Sequence, residues 1–548
     1  MPPQLSIDGY TDQLSVPAGD EISFHISTGA DRYDMEIARV GAERKIVWSR
    51  TGLTGTEHPV PPDASTHGCR WPAAFPLTIP PDWPSGYYSA VLRAEHAEQK
   101  AVGEISFVVR SAHPGRDARI LLQRTTNTDS AYNCWGGATL YNGPDGPARP
   151  ARRVSFDRPY AGFGENGIYL FDISEHVKDV LDQRIVSDEL KSEFLEKGGV
   201  EVLPGTFIQV SQPARRWYVV VPGVTYTAKL DGGRIKIYDG MSVWESGWRN
   251  WEQPFVQWAE REGYKIDYAV NTDLEFCPEI LQHYQLVLSV GHDEYWSSPM
   301  RDHLESFIAD GGNVAFFSAN TAYWQVRSEE NGRALACYKV PREDPLYSTG
   351  PHELLTTVFC DRRVNRPENY MTGVSFAYAG YHDFFDQYRD GEGAYTIHHP
   401  DHWVFAGTGL KRGEKLGARD KLIGYECDGC QFEMRDGRPV PTCGDGTPDT
   451  FEILATGPAA LSEADDSLRI LSEAVYGEGT SRRLPQPGAA VMGLYQRGGT
   501  VFTHGKGLVL LDFQVHAAPV EILGHGLVER GSIGLRGPRI GRSPAATD

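Results

Sequence analysis

The stretch Leu286 to Ser297, LVLSVGHDEYWS, sets three ionisable side chains directly behind an apolar run of strand length. The run ends at Gly291, and His292, Asp293 and Glu294 follow at once. An imidazole with an ordinary pKa near 6.5 can take up and release a proton at neutral pH. A carboxylate beside it can ligate a metal or serve as an acid or base. The turn contains no Cys and no Ser, so a thiol or seryl acyl-enzyme at this position is excluded. A solvated loop is the competing reading. Asp293 is read as structural, because neighbours on a strand-like path point to opposite sides.

These residues need elements to hold them. A helical pattern begins at Ser298 and closes at Gly311-Gly312, and NVAFFSAN (313–320) follows as a second buried strand ending at Asn320. Upstream, WEQPFVQWAEREG (251–263) reads as an amphipathic helix with a glycine C-cap, followed by the strand YKIDYAV (264–270). Strands alternating with helices at this spacing predict a doubly wound, mostly parallel sheet. In such sheets ligands collect outside the carboxyl ends of the strands, where Asn320 joins the His292 corner. The corner resembles the nucleophile elbow of class I glutamine amidotransferase-like folds, which carry a cysteine there. The expected α/β catalytic domain spans 113–548, with an inserted segment at about 174–248. Residues 1–112 alternate with period two in EISFHIST, YDMEIARV, GYYSAVLRAE and EISFVVR, the pattern of an all-β immunoglobulin-like sandwich. The stretch between Cys337 and Gly498 is rich in aromatics and turns, and its elements cannot be ordered from sequence. No internal repeat is visible.

Composition narrows the function. The chain has 548 residues, 40% hydrophobic and 23% charged, with a formal net charge of −20. A nucleic-acid partner is therefore not expected. No apolar run is long enough to span a bilayer, and MPPQLSIDGY lacks the basic and apolar segments of a signal peptide. A cytoplasmic protein is expected, and its eight cysteines are read as free thiols.

Two further clusters carry tyrosines: SAYNCWGGATLY (130–141) and VSFDRPYAGFG (154–164). With 26 tyrosines in the chain, aromatic packing under a long loop would explain either one. Taken in order, AYNCWGG, SFDRPY, WAEREGY, VGHDEYWS, GGNVAFFSANTAYW and GYECDG resemble the large subunit of the N,N-dimethylformamidase family over roughly residues 115 to 515. The resemblance implies a mononuclear iron(III) held by two tyrosinates and a carboxylate, and hydrolysis of a small amide. On this sequence the carboxylate falls on Glu294 and the tyrosines on Tyr132 and Tyr160, with Tyr141 also near. His292 falls on the family's histidine beside the metal ligands, and Asn320 on a polar pocket residue. The donor chemistry is coherent. Trivalent iron takes anionic oxygens, and phenols ionise on it. His292 would then carry a proton from water to the leaving amine, and Asn320 would steady the carbonyl.

This chain departs from that subunit in being shorter and in placing His504 and Lys506 in VFTHGKG. The expected partners are a small amide and further copies of the chain, with a small accessory subunit as a family trait. Other groupings carry weaker chemistry. Cys427, Cys430 and Cys443 resemble half a zinc site without a fourth ligand. His398, His399 and His402 form a turn-like cluster, and His382-Asp383 stands as an outlying candidate. Two rivals remain: a metal-dependent hydrolase or lyase on another substrate, and a non-catalytic binding protein with a degenerate α/β domain.

Overall fold

The computed structural model describes residues 5–97, 99–133, 135–141, 150–160, 199–203, 206–211, 216–220, 229–231, 234–236, 247–248, 251–382, 393–418, 422–423, 426–461 and 466–505. Much of the inserted segment, including the Lys/Glu-rich run 189–198, and also Asp383 and Lys506, lie outside these residues. Among the described residues no helix is long and apolar enough to cross a membrane.

The N-terminal part is built from two sheets. Ile7–Thr11, Glu21–Thr28 and Phe75–Thr78 pair antiparallel in that order. The second sheet runs Ser15–Pro17, Gln99–Arg110, Gly86–His96, Arg32–Val40, Arg44–Thr54. The alternating apolar residues turn to one side in each, so Phe24 and Ile26 share a core with Met35, Ile37, Leu92 and Phe107. Phe24 and Phe107 meet edge to face with centroids 5.7 Å apart. The sandwich is fastened to the rest of the chain by Arg39–Glu260 at 2.6 Å and by Ser15 Oγ donating to Asp273 at 2.7 Å.

The larger part centres on a nine-stranded sheet. Its strands, in chain order, are β1 (Ile120–Arg124), β2 (Ile266–Val270), β3 (Leu286–His292), β4 (Asn313–Ala319), β5 (Tyr395–Ile397), β6 (Lys415–Leu416), β7 (Glu452–Ala459), β8 (Gly488–Arg497) and β9 (Gly499–Thr503). The spatial order is β2-β1-β3-β4-β9-β8-β7-β5-β6. The first five are parallel and the last four joints antiparallel. The parallel strands are near-continuous apolar runs because both faces are covered. Leu122, Leu288 and Phe317 enter the core on one face, and Leu121, Val287 and Phe316 that on the other.

Four helices position the site: α1 (Thr126–Tyr132) after β1, α2 (Glu252–Arg261), α3 (Asn271–Phe276) after β2, and α4 (Ser298–Ala309). Helix α4 does not follow the His-Asp-Glu corner at once. Tyr295–Ser297 first forms a short strand, parallel to Trp324–Glu329, in a second sheet with Ala334–Ala336 and Arg153–Ser155. Ser297 Oγ then caps α4 by accepting from the Met300 amide at 3.3 Å, with Pro299 in the first turn. The unordered stretch of the sequence supplies the antiparallel half of the large sheet. It also supplies a pairing of Ser375–Tyr381 with Glu426–Gly429. Part of the 174–248 segment forms antiparallel strands, at Gly199–Leu203, Thr206–Ser211 and Arg216–Val220.

Candidate functional site

Glu294 lies at the centre of a buried cluster, itself 1% exposed. Two phenols reach its carboxylate: Tyr132 donates to Oε2 at 2.9 Å, and Tyr141 donates to Oε1 at 2.5 Å. The two rings stack with centroids 4.7 Å apart. Helix α1 holds this arrangement from both ends, because Thr128 Oγ1 accepts the Glu294 amide at 2.9 Å and the helix terminates at Tyr132. The corner is set by Gly291. Its φ is +95°, and a Cβ there would lie 2.4 Å from Cβ of Trp251, so only glycine lets the strand pass the start of α2.

His292 stays on the end of β3, in register with Ala319 of β4. Its Nε2 lies 3.1 Å from Glu426 Oε2 and 3.7 Å from Glu294 Oε2. Burial raises the Glu294 carboxyl above the usual range, while His292 and Lys339 pull it back. Burial, and then the charge of Glu294, push the Tyr141 hydroxyl well above its ordinary value. The Tyr141 phenol is therefore neutral in this cluster.

Lys339 adds a positive charge from a left-handed backbone position, φ +61°. Its Nζ sits 3.1 Å from the centroid of the Tyr141 ring, 4.7 Å from Trp324 and 5.4 Å from Tyr295. Burial pushes it down to about 8, with Glu294 the chief opposing influence. Ring faces attract an ammonium through their negative quadrupole.

Asp293 points elsewhere. It accepts from Gln123 Nε2 at 2.8 Å, Ser289 Oγ at 2.7 Å and Asn271 Nδ2 at 3.1 Å, locking β1, β3 and α3 together. Asn320 has φ +53°, and its amide and that of Thr321 both donate to Asp428. Asn320 Oδ1 is buried and has no hydrogen-bond partner among the described residues.

The structure thus brings Tyr132, Tyr141, His292 and Glu294 together. Tyr160 is placed in the wall of a cavity that also takes in Arg124, Asp129, Ser130 and Asn133. Sequence reasoning missed Lys339 and the use of Glu426. Glu426 stands inside the GYECDG motif. No spacing signal marks Lys339. Cys427 and Cys430 are buried and Cys443 is partly so, and none of the three is in a disulfide among the described residues. His398 donates to or accepts from Thr456, and His402 caps its own short turn.

Three hard oxygen donors converge here in a water-poor setting, with two groups able to carry protons beside them. That donor set suits a trivalent, oxygen-seeking cation, whose charge two phenolates and a carboxylate would balance.

A family model described as N,N-dimethylformamidase beta subunit-like, C-terminal, matches residues 34–507. Two relatives, the N,N-dimethylformamidase beta subunits of Alcaligenes sp and Paracoccus aminophilus, are each 35% identical over 81 residues. That match covers 14% of this chain and 11% of each relative. Among solved structures, a Parabacteroides merdae beta-glucuronidase overlaps with a TM-score of 0.12 at 17% identity, over 22% of this chain and 16% of that one. A score this low carries no argument about fold.

Proposed function

The chain belongs to the N,N-dimethylformamidase beta subunit-like family, and we propose that it hydrolyses the C–N bond of a small amide at an iron(III) centre held by Tyr132, Tyr141 and Glu294. The convergence of both phenols on one buried carboxylate carries this reading. Tyr141 takes the place that the motif order alone assigned to Tyr160. When bound, the metal supplies Lewis acidity toward the amide carbonyl and toward water.

The chain's own residues have separate tasks. His292 Nε2 receives a proton from the attacking water and passes it to the departing amine nitrogen. Glu426, 3.1 Å away, orients the imidazole and stabilises its protonated form. Asn320 supplies an amide that can donate to the carbonyl oxygen as charge develops there. Lys339 lies over the Tyr141 ring and favours its anionic form. The rings of Tyr132, Tyr295 and Trp251 border the centre and limit water. Water and the amide leave as a carboxylic acid and an amine. The relatives are named as beta subunits, and assembly with further subunits is part of the proposal.

The test is release of formate and dimethylamine from N,N-dimethylformamide by the iron-loaded protein. Turnover is expected in the wild type and absent in Glu294→Gln. Iron-replete wild type that cleaves neither this amide nor acetamide would overturn the reading.

A further inference from the structure

Helix α1 has two working faces. Thr128 and Tyr132, one turn apart, bond to Glu294. Thr126, Asp129, Ser130 and, just beyond the helix, Asn133 are spaced to share the other side, and all four line a cavity between the helix and the N-terminal sandwich. Its volume is ≈ 80 Å³, room for a molecule of about four to six heavy atoms.

Two hydroxyls in its lining are unspent. Ser130 is 4% exposed, and neither its Oγ nor the buried Oγ1 of Thr126 has a hydrogen-bond partner among the described residues. Buried hydroxyls without partners are costly unless water or a ligand satisfies them. The charges in the lining are already committed. Arg124 pairs with Glu252 at 2.7 Å and Asp129 at 2.6 Å. Arg158 donates to the carbonyls of Ser155, Ala138 and Ser130. Glu104 accepts from Ser89 Oγ. Sandwich residues such as Leu14, Ile105 and Phe107 give the far wall an apolar surface. We propose that this cavity is a second small-molecule site, separate from the Glu294 centre, for a neutral polar ligand of amide size that bonds to Ser130 and Thr126. Among the described residues of the lining, a charged ligand finds no uncommitted counter-charge. The proposal does not rest on the iron reading.

The experiment is calorimetric titration of the full chain with acetamide, with formate as the anionic comparison, alongside crystals soaked in acetamide. Expected are density for acetamide against Ser130 and Thr126 and saturable binding in solution. That binding should be retained in Glu294→Gln and weakened at least tenfold in Ser130→Leu, with no formate binding at this site. Should Ser130→Leu not fold, Thr126→Val, which removes the hydroxyl at nearly constant shape, must weaken acetamide binding instead. The proposal is overturned by water alone in the cavity, by acetamide seen at crystal concentration only, by formate in its place, or by binding that survives these substitutions and disappears in Glu294→Gln.

Discussion

Replacing Gly291 by Ala tests how the corner is built. The residue has φ +95°, where an L side chain is strained by roughly 1–2 kcal/mol. The new methyl would also lie 2.4 Å from Trp251 Cβ, 3.0 Å from its Cγ and 3.6 Å from its Cα. Those atoms sit at the base of the indole, at the start of α2, so rotating the ring does not clear them and backbone must move. Overpacking of this kind costs roughly 1–3 kcal/mol. The sum is about 2–5 kcal/mol, and it falls on the residue next to His292. Urea unfolding of Gly291→Ala, followed by tryptophan fluorescence, should show that loss in the part of the chain holding α2. Turnover of the folded fraction should fall by on the order of 10²-fold, since displacements near 1 Å at reacting groups have that effect. A variant within 0.5 kcal/mol of wild type and fully active would refute the argument that this glycine sets the corner.

His292→Ala should keep its iron and lose about 10²–10⁴-fold in turnover, the usual range for acid–base groups; loss of iron would make the imidazole a ligand. Lys339→Met should stay folded but shift the phenolate absorption, because the ammonium over Tyr141 is gone; an unchanged band and rate would leave Lys339 without a part in the centre. Glu368, 1% exposed, is raised from 4.5 to about 8 by burial. The folded state therefore keeps a proton that the unfolded chain loses above 4.5, and stability falls as pH rises through that window and levels off above 8. Glu368→Gln should flatten this dependence and be more stable at pH 8 by on the order of 3 kcal/mol; parallel wild-type and variant profiles in urea titrations would contradict it.

What was legible in the sequence was local. The runs that became β3 and β4 are covered on both faces, so their apolar continuity showed directly. Glu294 and His292 follow from their two-residue spacing, and Asp293 turned away into the sheet as alternation requires. The tyrosines were harder. Tyr132 ends a helix that packs on Glu294, but choosing between Tyr141 and Tyr160 depends on how the chain folds back after α1. There the Leu140 amide bonds to the Ala131 carbonyl and brings Tyr141 inward. Glu426 reaches His292 through the pairing of two distant strands, and no local pattern encodes that. Lys339 owes its place to a left-handed turn behind Ala334–Ala336, a conformation its residue type does not announce. In the antiparallel half, β5 and β6 are too brief for any periodicity, and the longer β7 (EILATGPA) and β8 (GAAVMGLYQR) are interrupted by Gly or Pro, which masks a strand pattern.

Whether two phenolates and Glu294 hold iron(III) is read from the visible spectrum of the iron-loaded protein, taken together with its metal content. A tyrosinate centre gives a coloured protein with one iron per chain. Tyr132→Phe and Tyr141→Phe should each shift or bleach the charge-transfer band, while Tyr160→Phe leaves it intact. A colourless, iron-replete wild type would contradict the tyrosinate centre, and a band lost in Tyr160→Phe but kept in Tyr141→Phe would contradict the ligand set of Tyr132, Tyr141 and Glu294.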